Sequence, residues 1–109
     1  MLYEMRTYRL KTGAVPAYVK LVADEGIALQ KSYLGNLVGY FTSEIGPLNE
    51  IVHIWAYESL DDRAARRARL NADPAWQVFL PKIQALIETM ENKILLPTSF
   101  SPTAFSPLD

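Results

Sequence analysis

The chain has no cysteine and a single histidine, His53. Without cysteine there can be no disulfide, no thiol nucleophile and no thiolate metal site. One imidazole would leave only carboxylates to complete a coordination sphere, so no metal is expected. Neither sign of charge is in surplus. Eleven Lys and Arg against 12 Asp and Glu argue against a nucleic-acid partner, whose phosphates call for excess cations. No apolar run approaches the ~20 residues of a membrane span, and no membrane association is expected. The five glycines form no phosphate-cradling motif, since Gly35 and Gly39 are four apart with no third to match. No serine sits in a nucleophile elbow, and no cofactor is expected. A strand pattern that opens at Leu2 leaves no room for a signal or transit peptide, so the expected location is cytoplasmic.

What is present suits one globular domain. Half of the 109 residues are apolar and 21% are charged, and a chain this long buries about two thirds of its unfolded surface. The expected organisation is one domain over residues 1–97 and an extended, proline-rich tail over 98–109 that docks on it.

Leu2 to Leu10 alternates as a first strand, with Tyr3, Met5 and Thr7 on one side and Glu4, Arg6 and Tyr8 on the other. Pro16 opens a helix in which Val15, Tyr18, Val19, Val22, Leu29 and Tyr33 recur at helical spacing, and Gly35 stops it. Gly26 lies inside that helix and marks a kink or a close backbone approach. Leu37 to Glu44 is a second strand and Leu48 to Glu58 a third, on either side of an Ile45-Gly46-Pro47 turn. Ser59 with Asp62 reads as a helix start, followed by a short helix with a thin stripe of Leu60, Ala64 and Ala68. Asp73-Pro74 starts another helix, with Trp76, Phe79, Ile83 and Leu86 at helical spacing and a kink or break expected at Pro81. The last strand is expected near Glu88 to Leu96.

The order is β-α-β-β-α-β, a ferredoxin-like α+β fold with a four-stranded antiparallel sheet. The third strand carries Val52, Ile54 and Ala56 on one face and Ile51, His53, Trp55 and Tyr57 on the other, so both faces need cover. The expectation is that helices cover one face. The face with Glu4, Arg6, Tyr8, His53, Trp55 and Tyr57 then meets a second copy, giving a homodimeric α+β barrel.

Several segments resemble the NIPSNAP family. They are Tyr3-Glu4-Met5-Arg6-Thr7-Tyr8, Val38-Gly39-Tyr40 with Glu44-Ile45-Gly46, and His53-Ile54-Trp55-Ala56-Tyr57 running into Asp61-Asp62-Arg63. Asp73-Pro74-Ala75-Trp76 and Pro97-Thr98-Ser99-Phe100-Ser101-Pro102 carry the resemblance over nearly the whole chain. It implies the dimeric α+β barrel and no settled reaction.

Within the barrel, His53 is the candidate acid or base, because an imidazole of near-neutral pKa suits proton transfer. Arg6 is the candidate for holding a carboxylate or enolate. Tyr8, Trp55 and Tyr57 could wall in a flat ligand, and Glu4 on the face of Arg6 could pair with it. The expected function is binding of a small organic molecule between two subunits, extending to a cofactor-independent oxygenase or isomerase. The alternative is a non-catalytic structural or interaction protein whose sheet face serves dimerisation. Arg63, Arg66, Arg67 and Arg69 form the basic cluster, read as a solvated helix face with Asp62 and Arg66 paired at i,i+4, a phosphate or anionic-partner site being the alternative. Glu44 and Glu50 read as solvated turn charges. An RNA-recognition domain shares this strand order, but Leu37–Phe41 lacks its basic and aromatic signature.

Overall fold

The computed structural model describes residues 1–102. The alternating N-terminal segment is β1, Leu2–Leu10. Helix α1, Val15–Leu21, carries Pro16 in its first turn, where the missing N–H has no partner to lose. It widens into one π-helical turn, Val22–Gly26, and resumes as α2, Ile27–Leu34. Gly26 marks an irregularity and a close approach, though of a side chain and not of a second backbone. It ends the irregular turn, and a Cβ there would stand 2.6 Å from the Phe79 ring. Strands β2, Leu37–Thr42, and β3, Glu50–Tyr57, follow.

The expected caps are in place. Ser59 Oγ accepts the Asp62 N–H at 3.0 Å ahead of α3, Leu60–Ala72. Asp73 Oδ1 accepts the Ala75 N–H at 2.7 Å ahead of α4, Pro74–Gln84. No break falls at Pro81: α4 runs through it and ends at Gln84. Pro81 and Gln77, whose carbonyl would have met the missing N–H, are both exposed residues of α4. Strand β4, Ile87–Leu95, sits one residue earlier than expected at each end.

The strands form one antiparallel sheet in the order β2-β3-β1-β4, the ferredoxin-like arrangement. Register fixes the two faces. Opposite pairs Glu4–Trp55, Arg6–His53 and Tyr8–Ile51 point to one side, and Tyr3–Ala56, Met5–Ile54 and Thr7–Val52 to the other. The assignment of these faces is the reverse of the sequence expectation. Glu4, Tyr8, Ile51, His53, Trp55 and Tyr57 are all buried against the chain's own helices, in a core with Tyr18, Leu34, Leu70, Trp76, Phe79 and Ile83. Met5, Thr7, Val52 and Ile54 are only half-buried on the outer face, and Phe41 there is 53% exposed.

The physical reason lies in side-chain size and in helix α3. The space between a sheet and its helices is filled by the larger side chains, and burying the aromatic row removes more apolar surface from water than burying Val52, Ile54 and Ala56. Helix α3 then supplies partners for the polar members of the row. Its buried stripe is not Leu60, Ala64 and Ala68, since Leu60 is 58% exposed and both alanines are exposed. Leu70 is buried, and Arg63, Arg66 and Arg67 are half-buried beside it.

The described part of the tail is not fully extended. It turns at Ser101, whose N–H bonds the Thr98 carbonyl at 3.1 Å, and Thr98, Ser101 and Pro102 line a hollow with Tyr3, Val38 and Ile54 of the outer face. Phe105 and the rest of residues 103–109 lie outside the described residues.

Candidate functional site beneath the helices

A cavity of about 140 Å³ lies between the helix-covered face of the sheet and helices α2, α3 and α4. Of the six site residues expected from sequence, Arg6, Tyr8, His53 and Trp55 line it. Glu4 and Tyr57 share their sheet face but lie outside the lining. Tyr18 of α1, Gln30 and Leu34 of α2, Arg67 and Leu70 of α3, and Trp76 and Ile83 of α4 contribute from the helix side. Asn71, Gln84 and Met90 are its exposed members and mark the mouth, between the ends of α3 and α4 and edge strand β4. The site therefore belongs to one chain and not to a space between two sheets.

His53 is 1% exposed and held on three sides. Tyr40 stacks on its ring at 4.4 Å between centroids, and Tyr8 meets it edge-on at 4.9 Å. The Trp55 indole N–H donates to His53 Nδ1 at 2.8 Å. An indole nitrogen can only donate, so Nδ1 must be bare and the proton of the neutral ring must reside on Nε2. That Nε2–H is buried and has no partner among the described residues. Burial, reinforced by the positive charge of Arg6, holds the imidazole pKa down at about 3. This corrects the expectation of a near-neutral imidazole. At neutral pH, His53 is a fixed hydrogen-bond donor, and its one basic nitrogen is occupied.

Arg6 is anchored by its neighbours. Its Nε donates to the Tyr8 hydroxyl at 2.9 Å and its Nη1 to Glu4 Oε2 at 3.1 Å, confirming the Glu4–Arg6 pair. The same Glu4 oxygen accepts from Arg63 Nη2 and from Asn92 Nδ2, both at 2.7 Å. Burial alone would raise the Glu4 pKa, but the hydrogen bonds from Arg63 and Asn92 and the charges of Arg6 and Arg63 outweigh it and pull the value to about 2. Glu4 is thus a structural anion behind the cavity wall. The Tyr18 and Tyr40 hydroxyls lie 2.8 Å apart, and burial pushes both pKa values well above the usual phenol range. Neither phenol ionises at neutral pH.

The basic cluster divides. Arg66 keeps its expected i,i+4 bond to Asp62 at 2.8 Å and also donates to the Tyr33 carbonyl at 3.2 Å. Arg63 reaches Glu4, and Arg67 lines the cavity. The sequence reading favoured a solvated face for all four arginines over an anion site. The signal available was spacing: Arg63, Arg67 and Leu70 fall at i, i+4 and i+7, one face of a helix. Gln30, placed in sequence on a helix and not singled out, is buried at the cavity with its Oε1 unpartnered. Among the described residues, no group of three His, Asp or Glu side chains could hold a metal ion. No helix there is long and apolar enough to cross a membrane.

The NIPSNAP family model matches residues 3–102. A NipSnap homolog from Dictyostelium discoideum is 36% identical over 96 residues, which are 88% of this chain and 42% of that protein. The Drosophila melanogaster NipSnap protein is likewise 36% identical, over 94% of this chain and 37% of its own length. The chain therefore spans about two fifths of these relatives. A solved NIPSNAP family protein of unknown function from Agrobacterium tumefaciens is 72% identical with a TM-score of 0.92, covering 94% of this chain and 92% of that one. A putative antibiotic biosynthesis monooxygenase from Nitrosomonas europaea shares the fold, with a TM-score of 0.65 at 14% identity over 89% of this chain and 98% of that one. On the family match and the identity to its relatives, the chain belongs to the NIPSNAP family.

Proposed function

We propose that this chain binds a small organic molecule in the cavity beneath its helices. The observation that carries the reading is the His53 Nε2–H, a buried donor on a cavity-lining residue that has no acceptor among the described residues. Leaving a buried polar group unpaired costs about 1–3 kcal/mol, and a bound acceptor would recover that. The size is suitable, since an apolar cavity of about 150 Å³ is large enough to take up benzene. The test is a thermal-shift screen against a metabolite panel, with Leu80→Trp as the control that fills the cavity. The expected result is stabilisation of the wild type by a subset of compounds and no response in Leu80→Trp. A wild type that responds to nothing, or responds equally when filled, would overturn the reading.

Turnover is a second reading, as a cofactor-independent oxygenase or isomerase in which Arg6 and His53 hold an oxyanion. Their convergence on one cavity supports it. The lining nevertheless offers no free base, because His53 Nδ1 is occupied by Trp55, and Glu4, outside the lining, is held as an anion by Arg6 and Arg63. Binding is the better supported reading.

The same proposal includes a homodimer, formed through the outer face of the sheet. Met5, Phe41, Val52 and Ile54 form an apolar centre there, while Arg9, Glu50, Glu91 and Lys93 carry both signs of charge around it. Such a face complements a second copy of itself. Sedimentation equilibrium is expected to give a dimer for the wild type and a folded monomer for Ile54→Glu. A wild type that is monomeric at low micromolar concentration would refute the dimer.

A further inference from the structure

We propose that the ligand of this cavity is a ring-sized organic anion whose carboxylate or enolate oxygen lies between the guanidinium groups of Arg6 and Arg67 and the Nε2–H of His53. The inference rests on the binding reading above and adds the sign of the ligand's charge and the groups that recognise it.

The charge pattern of the interior comes first. Arg6 and Arg63 share the single carboxylate of Glu4, at 3.1 and 2.7 Å. Arg67 lines the cavity and makes no ion pair among the described residues. The cluster of three arginines therefore holds one compensating anion. A half-buried cation without a counter-charge is costly, and a bound anion would relieve it. Arg66, one residue away, is already neutralised by Asp62, so the surplus belongs to the cavity side of α3.

The donor pattern points the same way. His53 carries its proton on Nε2 because Trp55 can only donate to Nδ1. The group that His53 offers the ligand is thus fixed as a donor, and it demands an acceptor. Trp55 is in this sense a positioning residue, setting the tautomer from behind the ring. Arg6 is steadied by Glu4 and Tyr8, so its guanidinium is oriented before any ligand arrives. Elsewhere on the wall, Tyr8, Tyr18, Trp55 and Ile83 give flat or apolar surface to a space large enough for one ring, and Gln30 adds an unpartnered amide oxygen. Two arginines and one donor hydrogen suit an anionic oxygen, and the aromatic wall suits its carbon frame. A protonated amine would meet two cations and no free carboxylate.

Benzoate, benzamide and benzylamine are three probes of one size and three charge types. Binding is followed by isothermal titration and by the imidazole NMR signals of His53, which is the chain's only histidine and therefore gives an unambiguous report. Benzoate is expected to bind and to shift the His53 Nε2–H signal, with benzamide weaker by about tenfold or more and benzylamine not binding. In Arg67→Met, which keeps an unbranched apolar stem and removes the guanidinium charge, benzoate is expected to fall to the affinity of benzamide. Equal binding of benzoate and benzamide would overturn the anion assignment and leave the cavity as a binding site. Wild-type benzoate affinity in Arg67→Met would remove Arg67 from the recognition set and overturn the assignment made here. Failure of all three probes to move the His53 signal, together with a silent metabolite screen, would overturn the binding reading itself.

Discussion

Replacing Glu4 by Gln keeps the side chain's shape and removes the one anion that, among the described residues, pairs with Arg6 and Arg63 beside the cavity. One Glu4 oxygen accepts from Arg63, Asn92 and Arg6 at 2.7, 2.7 and 3.1 Å, and the residue is fully buried. A glutamine oxygen can still accept at the position of Oε2, with the amide NH₂ in place of Oε1, which has no partner among the described residues, but the cations lose their counter-charge. Two independent routes give the size of the effect. The Glu4 carboxyl is held at about 2 instead of 4.5, and at about 1.4 kcal/mol per pH unit this corresponds to about 3 kcal/mol. Breaking a buried ion pair from one side costs about 3–5 kcal/mol. The expected loss is therefore about 3 kcal/mol at neutral pH. Because the folded carboxyl gives up its proton more readily than the unfolded one, this stability is complete above pH 4.5 and is lost as pH falls towards 2. Urea unfolding of wild type and Glu4→Gln, at neutral pH and in acid, measures both features. A difference below about 1 kcal/mol at neutral pH, the scale of an exposed pair, would refute the reasoning, as would a difference that acid leaves unchanged.

Two further substitutions test the frame that holds the site. Ser59→Ala removes the acceptor for the Asp62 N–H and is expected to cost about 1 kcal/mol in chemical denaturation; no loss would disprove the cap. Gly26→Ala puts a methyl 2.6 Å from the buried Phe79 ring and is expected to cost about 1–3 kcal/mol. Phe79→Leu in the same chain should recover part of that loss, and a Gly26→Ala protein as stable as wild type would show that the π-helical turn can move aside.

Local signals were legible wherever a short stretch of sequence fixes them. The Ser59 and Asp73 caps, the alternation of β1 and β3, and the order of elements all follow from residues within a few positions of one another. The choice of which sheet face meets the helices is different, because period two defines two faces without saying which is covered. That choice depended on a contact 59 residues apart in sequence, Arg63 to Glu4. Arg63 and Arg67 pointed inwards against their residue type, and long cationic side chains are read as solvated by default. Arg6, Tyr8, His53 and Trp55 were found together because one strand pairing places them together. Their chemistry was less visible. Whether an imidazole is a neutral donor or a titrating acid depends on burial and on the Trp55 indole, and alternation alone gives neither.

The protonation state of His53 is the most direct test of an intrachain cavity that presents a fixed donor. Nitrogen NMR of the single imidazole, followed from about pH 8 to pH 5, distinguishes the neutral Nε2–H form, the neutral Nδ1–H form and the imidazolium. The account requires the neutral Nε2–H form at every point, because burial and the nearby arginine charge hold the pKa near 3. Stability should correspondingly decline as pH drops below 6.5, where the unfolded histidine takes up a proton and the folded one does not. An imidazole that titrates with its ordinary midpoint near 6.5, or that carries its proton on Nδ1, would contradict the buried, Trp55-fixed donor on which the site is built.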